Sequence, residues 1–170
     1  NGYLQLNGNK YPAQAIHRID YETSGLVLFC KHPFFQAYCD KNMEEHHIKK
    51  EYIALVQGHT NYKNKKIISN IARDRHNAKK MIIHPNGKES ISIFNTIKNY
   101  KDCSLIQVTI LTGRKHQIRV QCASLNHPIL NDSLYGGKMT DDTGLLLQSH
   151  HIQFNDVDIT CPQEKRFIRK

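Results

Sequence analysis

His17-Arg18-Ile19-Asp20-Tyr21-Glu22-Thr23-Ser24-Gly25, followed at once by the apolar run Leu26-Val27-Leu28-Phe29-Cys30, sets a carboxylate and a guanidinium on a turn ahead of a buried strand. A loop at the mouth of such a strand holds a side chain in place while leaving it open to a ligand, and Gly25 permits backbone geometry that other residues resist. Far downstream, Leu111-Thr112-Gly113-Arg114-Lys115-His116-Gln117-Ile118-Arg119-Val120 supplies a second cluster of basic and hydrogen-bonding groups. Two such clusters in one small basic chain suggest a site for a polyanion.

Outward from these stretches, apolar runs of strand character dominate. Tyr3–Leu6, Leu26–Cys30, Tyr52–Val56, Ser90–Ile97, Leu105–Leu111 and Leu145–Phe154 are rich in Ile, Val, Leu and aromatics and bounded by Gly, Asn and Pro, which predicts a mixed sheet. Pro33 can open a helix over about Phe34 to His46, where Phe35, Tyr38, Cys39 and Met43 recur at helical spacing. A second helix is expected from near Lys115, with Ile118, Cys122 and Leu125 on one face and Asn126-His127-Pro128 ending it. Thr60–Lys66 and Ala72–Lys80, which carries Arg73, Arg75, Lys79 and Lys80, read as exposed basic loops able to track phosphates.

At 170 residues the chain fits one domain, which can bury roughly 70% of its unfolded surface without metal or disulfide support. Lys and Arg number 24 against 15 Asp and Glu, a formal net charge of +9 that draws phosphate or anionic surfaces. No apolar run approaches the ~18 residues needed to span a bilayer, so no membrane role is expected. The five cysteines are widely spaced without a CxxC pair, which fits reduced thiols and a cytoplasmic protein. Eleven histidines include His46-His47 and His150-His151, but neighbours point apart and no HExxH spacing exists, so no metal site is expected.

His17-Arg18-Ile19-Asp20 with Thr23-Ser24-Gly25, then Lys50-Glu51-Tyr52-Ile53-Ala54-Leu55-Val56, then Gly113 to Val120, then His127-Pro128-Ile129 with Asp132 and Tyr135-Gly136, resemble the motifs of the RluA-type pseudouridine synthases. Four motifs occur in the family's order and span about Ile16 to Gly137; any one alone would be weak. The resemblance implies an α/β (α+β) catalytic domain over residues 1–170, with a mixed, largely antiparallel sheet, flanking helices and a central RNA-binding cleft. It also implies isomerisation of uridine to pseudouridine in ribosomal or transfer RNA by a monomer without metal or organic cofactor.

That reaction breaks the N1–C1′ bond, turns the uracil, joins C5 to C1′ and releases the C5 proton, with no net change in composition. An aspartate can act at the sugar or base only as the carboxylate, and Asp20 is that residue by the resemblance. A carboxylate in a dry cleft needs a cation, and a guanidinium can pair with it bidentately. The resemblance gives this role to Arg119, with Arg114 the local competitor. Tyr52 of the Lys-x-Tyr motif would stack on the uracil and take part in removing the C5 proton. Arg18 would fill the stack or hold phosphate around a flipped nucleotide, and Arg73, Arg75, Arg114, Lys115, His116 and Gln117 would contact RNA.

Three departures stand out. The family's upstream strand and loop with a Lys-Pro-x-Gly element is missing before His17, Gln121 stands where a His is common, and Asn131 where a Gly precedes the Asp. The rival reading is a non-catalytic RNA-binding domain that keeps the basic cleft. A metal-dependent nuclease would need clustered carboxylates or His ligands.

Overall fold

The computed structural model describes residues 12–169. Its framework is one eight-stranded sheet. The central strands are β4 (Lys49–Gln57), β8 (Cys103–Ile110) and β7 (Lys88–Asn99), extended on one side by β5 (Lys65–Arg73) and β6 (Met81–Ile83) and on the other by β9 (Leu147–Phe154) and β10 (Val157–Thr160). The order is β10-β9-β4-β8-β7-β5-β6, every pair along it antiparallel. A two-residue strand, β2 (Ser24–Gly25), pairs in parallel with β9 and makes the sheet mixed, as expected. Two further short strands, β1 (Gln14–Ala15) and β3 (Phe29–Cys30), form a separate antiparallel pair.

Strands β4 and β8 hold the core because Ile53–Val56 and Leu105–Ile106 are buried on both faces, while β7 buries one face through Ser90, Ser92 and Phe94. Ala54, Leu55, Val56, Phe94, Ile106 and Val108 are fully buried there and pack with Ile129, Leu145, Leu146 and Phe167. The helices are α1 (Gln36–Glu44), entered through a 3-10 turn at Pro33–Phe35, and α2 (Gln117–Ser124). Pro33 sits at the start of that turn, where its missing N–H is no loss. Helix α1 turns Cys39 and Met43 toward Ile48, Ile152 and Phe154, while Phe35 and Tyr38 stay exposed. Helix α2 presents Ile118 and Cys122 to the main core and Val120 to Ile71 and Tyr135.

The apolar run Leu26–Cys30 is not the single buried strand expected. Only its last two residues belong to a strand, Leu26 to Leu28 are half-buried, and Phe29 is exposed. Its backbone is anchored piecemeal: Leu26 N–H donates to the Ser149 carbonyl at 3.0 Å, and Leu28 N–H to His17 Nε2 at 3.1 Å. Gly25 is required at the junction, since its φ is +103° and a Cβ there would meet the Ser149 carbonyl oxygen at 2.1 Å. The Asp20 turn is thereby tied directly to β9.

Two expected loops are also revised. Thr60 and Tyr62 are buried, the Thr60 hydroxyl bonding that of Thr96 at 2.8 Å, and Lys65 and Lys66 already belong to β5. Ala72 and Arg73 close β5, leaving residues 74–80 as the turn into β6. The expected strand Tyr3–Leu6 lies outside the described residues. No described helix is long and apolar enough to cross a membrane.

Candidate active site

The loop after β1, strand β4 and the N-terminal end of α2 enclose a cleft of about 710 Å³. Ile16 to Asp20 with Thr23, Lys50 and Tyr52 of β4, and Gly113 to Arg119 line it. Of the residues singled out in the sequence, Arg18, Asp20, Tyr52, Arg114, Lys115, His116, Gln117 and Arg119 are brought together here. Arg73 and Arg75 are not; they are exposed at the β5–β6 hairpin.

Alternation along β4 places Lys50 and Tyr52 on the same face. The register shift in the β4–β9 ladder between Glu51 and Tyr52 leaves His150 of β9 unopposed, while β4 pairs with β8 without interruption, so the alternation along β4 is preserved. Tyr52 is buried, and burial, reinforced by the Asp20 carboxylate, pushes its phenol up to about 12. It is therefore neutral across the physiological range.

Arg119 stands 3.8 Å from Asp20 Oδ2, but its fork is used elsewhere. Nε and Nη2 donate to the two oxygens of Asp132 at 2.7 and 2.8 Å. The bidentate pairing expected with Asp20 is thus made with Asp132, a fully buried carboxylate that also accepts from Tyr135 N–H. Burial opposes the charge on Arg119, yet Asp132, then Asp20 and Glu22, outweigh it and raise its pKa. Glu22 approaches Nη2 at 3.6 Å. Arg119 therefore supplies Asp20 with fixed positive charge rather than two hydrogen bonds, leaving the Asp20 oxygens open toward the cleft.

His116 precedes α2 in a left-handed conformation, φ 54°, and brings Nε2 to 4.0 Å from Asp20 Oδ2. Burial lowers its pKa, with Arg119 and Lys115 adding to the effect and Asp20 opposing it. Gln117 turns away from an RNA-contact role. Its oxygen accepts from the Thr112 hydroxyl and Arg114 N–H, and its amide nitrogen donates to the Ile91 carbonyl and Ser92 hydroxyl, so it pins the 111–117 loop to β7. Arg114 and Lys115 are exposed on that loop, Arg114 Nε donating to the Glu89 carbonyl at 2.9 Å.

Sequence reading missed Lys50. Its ammonium is buried in the cleft, donates to Met43 Sδ at 3.0 Å, and forms no ion pair with a carboxylate among the described residues. Burial lowers its pKa. The signal was available, since any side chain two positions from Tyr52 in a strand shares its face.

Both second-cluster departures have physical explanations. Asn131 has φ 64°, a left-handed conformation that Gly or Asn adopts most readily, and its side chain pins residues 140–144 through Thr140 N–H and the Asp142 and Gly144 carbonyls. Gln121 points from α2 to the Ser69 and Ser90 hydroxyls and does not line the cleft. Neither alters the cleft walls. Among the described residues no group of three or more His, Cys, Asp or Glu side chains gathers at metal-binding geometry.

A mixed, mostly antiparallel sheet, with a loop aspartate set beside a buried tyrosine and a fixed arginine in a cleft over its central strands, defines an α/β domain. The family model for RNA pseudouridylate synthase matches residues 1–124, and the chain belongs to that family. It is 38% identical over 137 residues to the uncharacterized RNA pseudouridine synthase YhcT of Bacillus subtilis, covering 79% of this chain and 45% of that protein. Ribosomal large subunit pseudouridine synthase C of Buchnera aphidicola subsp. Baizongia pistaciae is 39% identical over 143 residues, 83% of this chain and 42% of that one. The chain spans about half the length of these curated relatives. The solved structure of human RNA pseudouridylate synthase domain containing 1 superposes with a TM-score of 0.82 at 24% identity, covering 94% of this chain and 72% of that one, which shows a shared fold.

Proposed function

We propose that this chain isomerises specific uridines to pseudouridine in structured RNA, with Asp20 as the acting carboxylate. The observation that carries the reading is the position of Asp20: on the cleft wall, 3.8 Å from Nη1 of an Arg119 guanidinium whose Nε and Nη2 bond Asp132, and in the same cleft as Tyr52. A cation at that distance attracts the carboxylate without capping it, so its oxygens can reach a ribose or uracil held in the cleft. Tyr52 stacks on the uracil. With its phenol pushed up to about 12, it is a poor acceptor for the C5 proton, which leaves Asp20, once released from the substrate, as the nearest anionic base.

Arg18 and Lys115, exposed at the cleft mouth, and Lys50 within it, supply cations for the nucleotide's phosphates. Arg73 and Arg75 on the β5–β6 hairpin would track the RNA further out. Ribosomal RNA is the first substrate to test, since a relative named for the large ribosomal subunit aligns over 83% of this chain. Base-resolution pseudouridine mapping of total RNA from cells with and without the gene tests the proposal. Loss of one or more defined pseudouridines on deletion, restored by the gene, is the expected result; an unchanged map contradicts it.

A further inference from the structure

Tyr135 is not part of the catalytic set just proposed, yet it sits where three elements meet. It is buried, and its ring lies between cations, with the Arg119 guanidinium carbon 5.2 Å and Lys80 Nζ 5.6 Å from its centroid. Its hydroxyl oxygen accepts from Met81 N–H, the first residue of β6, at 2.9 Å. The same oxygen is 2.9 Å from His116 Nδ1, the two rings meeting edge to face.

These contacts favour one arrangement of the protons. A phenol has one hydrogen to donate, and a buried O–H left without an acceptor is destabilising. With Met81 N–H already donating to Tyr135 Oη, the acceptor the described residues offer the phenolic proton is His116 Nδ1. A nitrogen that accepts carries no proton, so in the neutral imidazole the hydrogen is on Nε2. That is the nitrogen facing Asp20. The uncommon left-handed backbone at His116 is what turns the ring into this line, Tyr135 behind it and Asp20 ahead.

We propose that Tyr135 is a positioning residue that holds His116 as its Nε2–H tautomer, presenting a neutral N–H donor to the Asp20 carboxylate. At 4.0 Å the donor and carboxylate stand just beyond hydrogen-bond length, so the contact closes by a small movement when substrate fills the cleft. The β5–β6 hairpin becomes part of the arrangement, because Met81 N–H directs the phenolic proton. The tautomer stands independently of the assignment above; its effect on turnover rests on the reading of Asp20 as the acting carboxylate.

Long-range proton–nitrogen NMR correlation on the full chain labelled with 15N-histidine, at a pH where His116 is neutral, reads the tautomer directly. The wild-type His116 signals should show the Nε2–H pattern, and Tyr135→Phe should lose it for a mixture or for Nδ1–H. The phenylalanine variant keeps the ring against Arg119, and its unfolding temperature reports whether it folds. An Nδ1–H pattern in the wild type overturns the proposal, as does an unchanged Nε2–H pattern in Tyr135→Phe. In the RNA assay Tyr135→Phe should lower kcat by roughly 10- to 100-fold with KM unchanged, by analogy with the loss of a partner that orients a metal-bound histidine. An unchanged kcat, in an assay where Asp20→Asn is inactive, overturns the positioning role. Activity retained by Asp20→Asn refutes the catalytic reading instead and leaves the tautomer to the NMR.

Discussion

The guanidinium of Arg119 grips Asp132 through two parallel hydrogen bonds of 2.7 and 2.8 Å, thirteen positions along the chain and completely out of solvent. The pair fixes the orientation of the cation that faces Asp20, and that separation of tasks organises the site. Asp132 holds Arg119, and Arg119 sets a positive charge 3.8 Å from Asp20.

Removing the carboxylate from this pair strands a buried guanidinium. Asp132→Asn should lower stability by about 3–5 kcal/mol, the usual consequence of deleting one partner of a buried ion pair. Denaturant unfolding measures it. A loss below about 1 kcal/mol would mean that Arg119 finds an equivalent partner in Asp20 or Glu22.

Lys50 predicts the reverse. A buried ammonium whose only described hydrogen-bond partner is the Met43 sulfur burdens the fold, and Lys50→Met supplies an apolar chain of similar length. Stability should rise by about 1–3 kcal/mol while RNA binding weakens, because burying charge is costly and an apolar replacement is often stabilising. Thermal unfolding and RNA titration on the same sample check both signs. Lower stability would show that the ammonium contributes to folding.

Stability should also depend on pH from one particular value downward. Burial, and for His17 the neighbouring Lys50 charge, lowers the pKa of His17 and His116 below 6.5, the Arg18 backbone opposing at His17 and Asp20 at His116. Below that value the unfolded chain binds protons that the folded chain refuses, so the stability is complete above about pH 6.5 and is lost as pH falls through the lowered values. Glu51 acts later: burial opposes but hydrogen bonds from Lys49, His151 and Thr109 prevail, so its contribution is present above about pH 4.5 and lost below it. Melting temperature should decline as pH falls below about 6.5, less steeply in His17→Gln. A melting temperature that stays level or rises as pH falls below about 6.5 would contradict these directions.

Arg73 and Arg75 stand apart from the cleft, so their part in recognition is separable from the chemistry. Replacing either by Ala should flatten the dependence of log affinity on log salt by about 0.7 for single-stranded RNA, the value of one released counterion. Tyr52→Ala should leave that slope alone and lower use of the target uridine by roughly 1–3 kcal/mol of stacking. Equal slopes in Arg73→Ala and the wild type would remove the hairpin from the RNA path.

The parts of the fold legible in the sequence are those with a strong local signal. Tyr52–Val56, Ser90–Ile97 and most of Leu105–Leu111 fall in the three central strands, where β-branched and aromatic residues favour extended backbone, and Pro33 marks the entry to α1. Strand β10 gave no such signal, since all four of its residues are exposed and no buried face imposes alternation. Lys65 and Lys66 disguised the start of β5, and Leu26–Cys30 looked buried by composition alone. At the site, the motifs around Asp20, Tyr52 and Arg119 were readable one by one. What was not readable is which carboxylate Arg119 would grip, because Asp20, Glu22 and Asp132 all come within 4 Å of it and only burial decides among them.

The central claim is that the Asp20 carboxylate performs the isomerisation. Asp20→Asn keeps the size of the side chain and its hydrogen-bonding capacity while removing the anion, so the variant should fold, bind RNA within a few-fold of the wild type, and yield no pseudouridine. The measurement is pseudouridine formed on a mapped target RNA by purified wild type and variant at equal concentration and saturating RNA. Turnover by the wild type with none by Asp20→Asn is the predicted result. Pseudouridine formed by Asp20→Asn at the wild-type rate would contradict the account.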